Sequence, residues 1–365
     1  MKIAVIGPVG FPAGAGGVTR HSEELYARMV SKGVDVTVFT RRPATEMGDD
    51  QYRGMTVVGV WAPKGRGVET LVYGAIASLR ALLGRYDVVH YQGVASATFC
   101  WLQRLRVGRR LVVTHHSQDW QDEKWSGFAR RLLRWTAAIS LRRADEIIAV
   151  SEDLGRQLRA IHDRPVEVIP SGVTLPPDGG AEPLGRLGLR PKRYVLSVGR
   201  IVPEKRLEVV IDAFEEMAEP ELDMAIVGAP RYSEDYANAL KRNASPRVKF
   251  LGLQTGPALG SLYAHASAFV TASLREGLPL SLLEAMGSSI PVVASDIPAH
   301  RDALDGSGVL FRVDDAGALA EALRLALDDP SLGRKAKEVI DRHGYDWDDV
   351  VARTLELLVA PVTNA

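Results

Sequence analysis

Four stretches of the chain gather residues that could hold or transfer a negatively charged group. In Ser197-Val198-Gly199-Arg200-Ile201-Val202-Pro203-Glu204-Lys205-Arg206 an apolar run ends at Gly199, and Arg200 and Lys205 follow just before a helical pattern. A guanidinium and an ammonium so spaced can be aimed at one diphosphate, the first as a planar fork and the second as a point charge. In Ser273-Leu274-Arg275-Glu276-Gly277-Leu278-Pro279-Leu280-Ser281-Leu282-Leu283-Glu284 two glutamates flank a turn that enters a helix. The turn is expected to present the N–H groups of Leu280 and Ser281. Glu284 would reach a ribose diol, and Glu276 would accept from a sugar hydroxyl. Near the N-terminus Gly14-Ala15-Gly16-Gly17-Val18-Thr19 joins a strand to a helix, where free N–H groups and the helix dipole attract anions. His116 ends the Leu111–Thr114 strand at its carboxyl edge, where open α/β sheets bind ligands.

Each stretch also has a plainer reading. The N-terminal glycines lack the third glycine of G-x-G-x-x-G, and Phe39-Thr40-Arg41-Arg42 stands where a dinucleotide fold has an acidic residue. A nicotinamide cofactor is therefore disfavoured. Carboxylates near a helix start are common for dipole reasons alone. Arg200 and Lys205 could be two surface charges beside a helix. Asp346-Trp347-Asp348, the chain's one Asp-x-Asp triplet, begins the last helical pattern and reads as capping rather than as a metal site. His115 should point to the opposite face of its strand from His116, and His90 and His265 read as hydrogen-bonded structural histidines.

Short apolar runs alternate with helical patterns along the chain. Strands are expected at Lys2–Gly7, Val34–Thr40, Thr56–Val60, Val88–Tyr91, Leu111–Thr114, Ile147–Val150 and Val166–Ile169, with helices such as Thr70–Leu83 and 127–143 between them. The pattern restarts at Tyr194–Val198 and runs to helix 316–327. Such alternation implies parallel sheets covered on both faces. Between the halves, residues 170–193 are rich in proline and glycine and read as a linker. The simplest architecture is α/β, with two doubly wound domains facing each other across a cleft. Trp347, Val350, Val351 and Leu355 form an apolar stripe on the terminal helix.

Composition agrees. The chain of 365 residues, 46% hydrophobic and 25% charged, suits a globular protein of two domains. One cysteine, Cys100, excludes an intramolecular disulfide framework and a Cys-rich metal site. No run spans a bilayer and the N-terminus lacks a secretory pattern, so residence in the cytoplasm is the default expectation. Residues 1–172 hold 24 Lys+Arg against 17 Asp+Glu, a net of +7, in a chain that balances overall. Much of the excess lies at Arg104, Arg106, Arg109, Arg110, Arg130, Arg131, Arg134, Arg142 and Arg143, interleaved with Trp125, Phe128 and Trp135. That is either a solvated helix face or a basic amphipathic surface for the inner face of a membrane.

Taken together, these motifs resemble the family 4 glycosyltransferases of the GT-B fold. Gly16-Gly17-Val18-Thr19-Arg20-His21, Val198-Gly199-Arg200 through Lys205, and Glu276 to Glu284 followed by Pro291-Val292-Val293-Ala294-Ser295 carry the likeness. It covers almost the whole chain. His116-Ser117-Gln118-Asp119-Trp120 is similar to bacterial polysaccharide enzymes of rhamnosyl type.

The resemblance implies an acceptor-side domain at 1–172, a linker at 173–193, a nucleotide-sugar domain at 194–345, and a final helix at 346–365 crossing back to the first domain. It implies a donor site of Gly16, Gly17, Gly199, Arg200, Lys205, Leu253, Glu276, Gly277, Leu278, Leu280, Ser281 and Glu284. His116, Arg200, Lys205 and Glu276 would act in catalysis. His21, Asp119 and Trp120 would lie on the acceptor side. Pro170-Ser171-Gly172-Val173-Thr174 stands where the family often has Pro-Asn-Gly-Val-Asp, so polar contacts from this hinge should differ.

The expected reaction is retaining transfer of a hexosyl group from a nucleoside-diphosphate sugar, a UDP-sugar first, to a glycan, lipid-linked or small-molecule hydroxyl. No metal, cofactor or nucleic acid is called for. A sugar-nucleotide epimerase on the same plan would need acid/base carboxylates and no acceptor. A non-catalytic binding protein would be expected to have lost the charged groups this chain retains.

Overall fold

The computed structural model describes residues 1–12, 16–41, 51–63, 68–117, 141–162, 164–230 and 233–360, together with positions 131, 134, 135, 138 and 139. Asp119, Trp120 and most of the expected helix 127–143 lie outside the described residues.

The chain divides into two compact units, one formed by Met1–Gly172 with Asp346–Ala365, the other by Val173–Tyr345. The first is built on an eight-stranded sheet of β1 (Lys2–Ile6), β2 (Asp35–Arg41), β3 (Gln51–Tyr52), β4 (Met55–Val60), β5 (Val88–Gln92), β6 (Arg110–His115), β7 (Glu146–Ala149) and β8 (Glu167–Val168), in the order β3-β4-β2-β1-β5-β6-β7-β8. All pairs are parallel except the short β3–β4 hairpin. In β5 and β6 every residue is buried, as expected of central strands covered on both faces. The second unit holds β9 (Tyr194–Val198), β10 (Asp223–Val227), β11 (Val248–Phe250), β12 (Ala268–Thr271), β13 (Val292–Ser295) and β14 (Val309–Phe311), ordered β11-β10-β9-β12-β13-β14 and wholly parallel. Each order reverses direction at its first strand, β1 or β9. That is the switch point at whose carboxyl ends ligands collect in such sheets.

The proline- and glycine-rich stretch is not a free tether. Residues 173–193 belong to the second unit, carry the helix Glu182–Arg186, and bury Leu184 and Leu189 in its core. Gly260 lets this segment lie against the helix Gly256–Ala264, since a Cβ there would stand 2.0 Å from the Pro177 carbonyl oxygen. The terminal helix Trp347–Val359 is part of the first unit, where Trp347, Val350, Val351 and Leu358 are buried with Leu25, Tyr26 and Met29. Asp346 caps it, its carboxylate accepting from the Asp348 N–H at 3.0 Å.

Part of the expected basic face is consumed by structure, while Arg106, Arg131, Arg134, Arg142 and Arg143 are exposed. Arg109 is buried on the carbonyls of Ala81 and Gly84 and on Gln103. Arg110, also buried, holds the Leu357 carbonyl and Glu146, and so ties the terminal helix to β6. Arg104 pairs with Asp145 at 2.8 Å. These arginines satisfy backbone and carboxylate oxygens rather than a shared external anion.

Candidate active site

In the second unit, β9 runs out at Val198 and the chain continues as a strap. Gly199 N–H donates to the Val227 carbonyl and Ile201 N–H to the Ala229 carbonyl, at 2.9 and 3.1 Å. The strap lies directly on Gly228, whose φ of +149° and whose hypothetical Cβ, 1.8 Å from the Gly199 oxygen, both require glycine. Arg200 follows, exposed and without a hydrogen bond or ion pair among the described residues. The short turn Pro203–Lys205 then leads into Arg206, held at φ 49° by its bonds to Asp314 and Glu208. That left-handed residue costs roughly 1 kcal/mol. It redirects the chain into the helix Leu207–Met217 and leaves Lys205 pointing back to the strap, its stem 3.6 Å from where a Gly199 Cβ would be. Gly199, Arg200 and Lys205 line one pocket with Ser197, Leu207 and Thr271.

The Glu276 loop is pinned to the same place. Leu274 N–H donates to the Glu204 carbonyl at 2.9 Å, and the Ser295 hydroxyl donates to the Ser273 carbonyl at 2.6 Å. Lys205 Nζ donates to Glu276 Oε1 in a short ion pair, and the Ser273 hydroxyl donates to the same oxygen at 2.8 Å. Burial would raise the Glu276 carboxyl, but the Lys205 ammonium, with His300 and Ser273, holds it below the ordinary carboxylate range. It is therefore an anion ready to accept hydrogen bonds. His300, fully buried, donates from Nδ1 to the Ser295 carbonyl at 2.8 Å.

Two expectations for this loop need correction or refinement. The Leu280 N–H is already used, donating to the Leu278 carbonyl at 3.0 Å within the tight turn, so it is not presented to a ligand. Glu284 is buried and accepts from the Tyr263 hydroxyl at 2.8 Å, which fixes its carboxylate one turn into the helix Leu280–Gly287. Ser281 opens that helix, and Gly277 and Leu278 form the partly buried turn before it. Leu253 is half exposed just beyond Gly252, whose carbonyl accepts from the Gly228 N–H at 2.8 Å.

The first unit holds a polar cluster of another kind. His116, following β6, donates from Nε2 to Gln92 Oε1 at 2.6 Å. Burial, reinforced by His21, His90 and His115, pushes its imidazole well below the ordinary histidine range. His21, in the helix Gly17–Ser31, packs edge-on at 4.9 Å between ring centroids and bonds the Ser171 hydroxyl at 2.6 Å. Its pKa is lowered by burial to about 4. The hinge serine thus makes a contact inside its own unit. Gly16 caps the helix with φ +147°, and neither a capping side chain nor an acidic residue in the first turn competes for its N–H groups. His90 and His115 are both fully buried, and His265 lies 3.5 Å from Asp178.

Among the described residues no group of three His, Cys, Asp or Glu gathers in a way that could hold a metal ion. No helix among them is long and apolar enough to cross a membrane. Sequence reasoning did not find Ser273, Ser295, His300 or Tyr263, which anchor the acidic loop, nor Gln92 and Tyr26 behind His116.

Two doubly wound units with these sites define the GT-B class of glycosyltransferase. Residues 187–344 match the model of glycosyl transferases group 1, and residues 15–175 that of glycosyltransferase family 4. A D-inositol 3-phosphate glycosyltransferase of Actinosynnema mirum is 30% identical, covering 96% of this chain and 93% of the relative. A phosphatidyl-myo-inositol mannosyltransferase of Mycolicibacterium smegmatis is 29% identical over 98% of this chain and 93% of its own. Among solved structures, sucrose-phosphate synthase of Thermosynechococcus elongatus superposes with a TM-score of 0.84 at 22% identity, covering 98% of both chains. HepE of Anabaena, in complex with UDP-glucose, gives 0.80 at 19%, covering 98% of this chain and 99% of that one. The chain belongs to glycosyltransferase family 4 and is a glycosyltransferase.

Proposed function

We propose that the enzyme transfers a hexosyl group, with retention and without a metal ion, from a nucleoside-diphosphate sugar to a hydroxyl of a glycan, lipid-linked or small-molecule acceptor. A UDP-sugar is favoured over GDP- and dTDP-sugars, in line with the UDP-glucose complex of HepE. The observation that carries this reading is the convergence of Arg200, Lys205 and Glu276 at the carboxyl ends of β9 and β12. A guanidinium without a partner among the described residues and an ammonium suit a diphosphate, and an anionic carboxylate beside them suits the hydroxyls of the sugar it carries. Gly16, Gly17 and Ser281 supply N–H groups, and Gly199, whose own N–H is spent on the Val227 carbonyl, supplies close backbone approach. Glu284, fixed by Tyr263, accepts from the ribose diol, and the base lies toward Leu253.

In the reaction the bond from the anomeric carbon to the β-phosphate oxygen breaks, and negative charge grows on the departing phosphate. Arg200 and Lys205 stabilise that charge. The departing phosphate takes the proton of the acceptor hydroxyl as the new carbon–oxygen bond forms on the same face. Neutral His116 binds the transferred sugar, with His21 beside it on the acceptor side. The one Asp-x-Asp triplet is occupied in capping a helix of the other unit, which supports metal-independent transfer.

The first unit also exposes Trp101, Leu105 and Val107 beside Arg106, Arg142 and Arg143. This patch suits peripheral contact with an anionic membrane, which sedimentation with anionic and neutral vesicles tests. For the donor, a thermal-shift panel of UDP, GDP, ADP and dTDP is the direct experiment, because a ligand of the folded state raises its apparent stability. One nucleotide should stand out in the wild type and lose its effect in Lys205→Ala. A panel in which none shifts the wild type would overturn the reading.

A further inference from the structure

His116 is one end of a continuous hydrogen-bonded chain that the reaction itself does not require. Gln92, buried at the end of β5, accepts from His116 Nε2 through Oε1 at 2.6 Å and donates through Nε2 to the Tyr26 hydroxyl at 2.6 Å. Tyr26, fully buried on the helix Gly17–Ser31, meets His90 Nδ1 at 2.9 Å. His90 Nε2 meets the Thr114 hydroxyl at 2.7 Å. All four partners are at most 2% exposed.

Proton counting gives this chain one direction with the Gln92 amide as it stands. A tyrosine hydroxyl has one proton; with its oxygen accepting from the amide, that proton finds its acceptor at His90 Nδ1. His90 then carries its proton on Nε2 and donates to Thr114. At the other end the amide oxygen can only accept, so the ring proton of His116 sits on Nε2. Nδ1 of His116 is left as a lone-pair acceptor with no partner among the described residues. Turning the Gln92 amide over would set its N–H against His116 Nε2 and force the ring proton onto Nδ1, so the amide orientation and the His116 tautomer are fixed together.

We propose that Gln92 and Tyr26 are positioning residues that lock His116 in the Nε2–H tautomer, so that Nδ1 accepts a hydrogen bond from a hydroxyl of the transferred sugar. The inference rests on the placement of His116 at the sugar, but the tautomer can be read without any activity. The other titratable groups around this ring, His21, His90 and His115, are themselves buried or nearly so and come from the first helix, β5 and β6.

The test is long-range proton–nitrogen NMR on the full-length protein labelled with ¹⁵N-histidine, the His116 signals being assigned by their loss in His116→Gln. The wild type should show His116 Nδ1 at an unprotonated shift and Nε2 at a protonated one. Gln92→Leu and Tyr26→Phe should move both nitrogens toward the average of a tautomer mixture, whereas Gln92→Glu, which still accepts, should keep the wild-type pattern. In transfer assays Tyr26→Phe should lower kcat about tenfold and leave the donor KM nearly unchanged, since it touches no substrate. A protonated Nδ1 in the wild type, or an unmoved His116 in Tyr26→Phe, overturns the proposal. Gln92→Leu is dispensable if it does not fold, because the wild type and Tyr26→Phe decide. Should the wild type transfer no sugar at all, the placement of His116 fails while the tautomer result still judges the chain.

Discussion

The polar centres of the two units are built on opposite principles. In the first, His90, Tyr26, Gln92 and Thr114 are buried neutral groups in one hydrogen-bonded chain that ends at His116. In the second, Lys205 lines a pocket and pairs with an ionised Glu276, beside an Arg200 that has no hydrogen bond or ion pair among the described residues. Neutral groups hold geometry without strong fields and suit uncharged sugar hydroxyls. Ions carry fields and suit a diphosphate whose charge rises as it leaves. The difference teaches where each kind of substitution should act.

The largest effect is expected from the ionic centre. Lys205→Ala should lower kcat at saturating donor by roughly 10²–10³, the usual loss for one group facing a leaving-group charge; wild-type turnover would remove Lys205 from the clamp. Exhaustive chelation should leave the wild-type rate unchanged, and an absolute need for Mg²⁺ or Mn²⁺ would contradict this account of the leaving group.

Stability should respond most to the terminal helix. Truncation after Gly344 removes four buried apolar side chains, Trp347, Val350, Val351 and Leu358, each worth about 1.5–3 kcal/mol. That sum rivals the whole stability of a typical domain. Hydrogen exchange should show β1, β5 and β6 losing protection while β9, β10 and β12 keep theirs. Equal loss in both units would show that the helix serves them alike.

Acid should distinguish the centres in the same way. Burial lowers His21 to about 4 and His90 to about 3, from 6.5. Their contribution is fully present above pH 6.5. It is lost as the pH falls from there toward 4 for His21 and toward 3 for His90, because the unfolded chain takes protons that the folded one refuses. The slope approaches about 1.4 kcal/mol per pH unit for each histidine. Glu276 has the opposite chemistry but the same sign: its stabilisation is present above the ordinary carboxylate value of 4.5 and is lost as the pH falls from there through its lowered folded value. Protection in the first unit should therefore fall by pH 5, ahead of the loss tied to Glu276; the reverse order would contradict the neutral assignment of the histidines.

The smallest effect is expected at the hinge. A Cβ on Gly172 would stand 2.5 Å from the Trp347 ring, so Gly172→Ala should destabilise by about 1–3 kcal/mol in denaturant titrations.

Much of this was legible beforehand. The buried strands announce themselves as short apolar runs, and Gly199 to Lys205 and Glu276 to Glu284 stand out because charges next to a strand's end are unusual. The pairing of Lys205 with Glu276 was not legible, since 71 residues separate them and only the β9–β12 adjacency joins them. Leu280 was misread because a turn's internal hydrogen bond depends on backbone angles that residue types do not show. Gln92 and Tyr26 were invisible for a related reason. His90 and Gln92 share one face of β5 by alternation, but nothing in the order of residues brings Tyr26 of a separate helix against them. The hydrophobic residues of 173–193 were underweighted beside its prolines, although Leu184 and Leu189 carry it into the core.

The most direct test of the central claim is a crystal structure with the nucleoside diphosphate that the thermal-shift panel selects. The diphosphate should lie within hydrogen-bonding distance of the Arg200 guanidinium and Lys205 Nζ, with the ribose on Glu284. A nucleotide bound away from Gly199, Arg200 and Lys205 would contradict it.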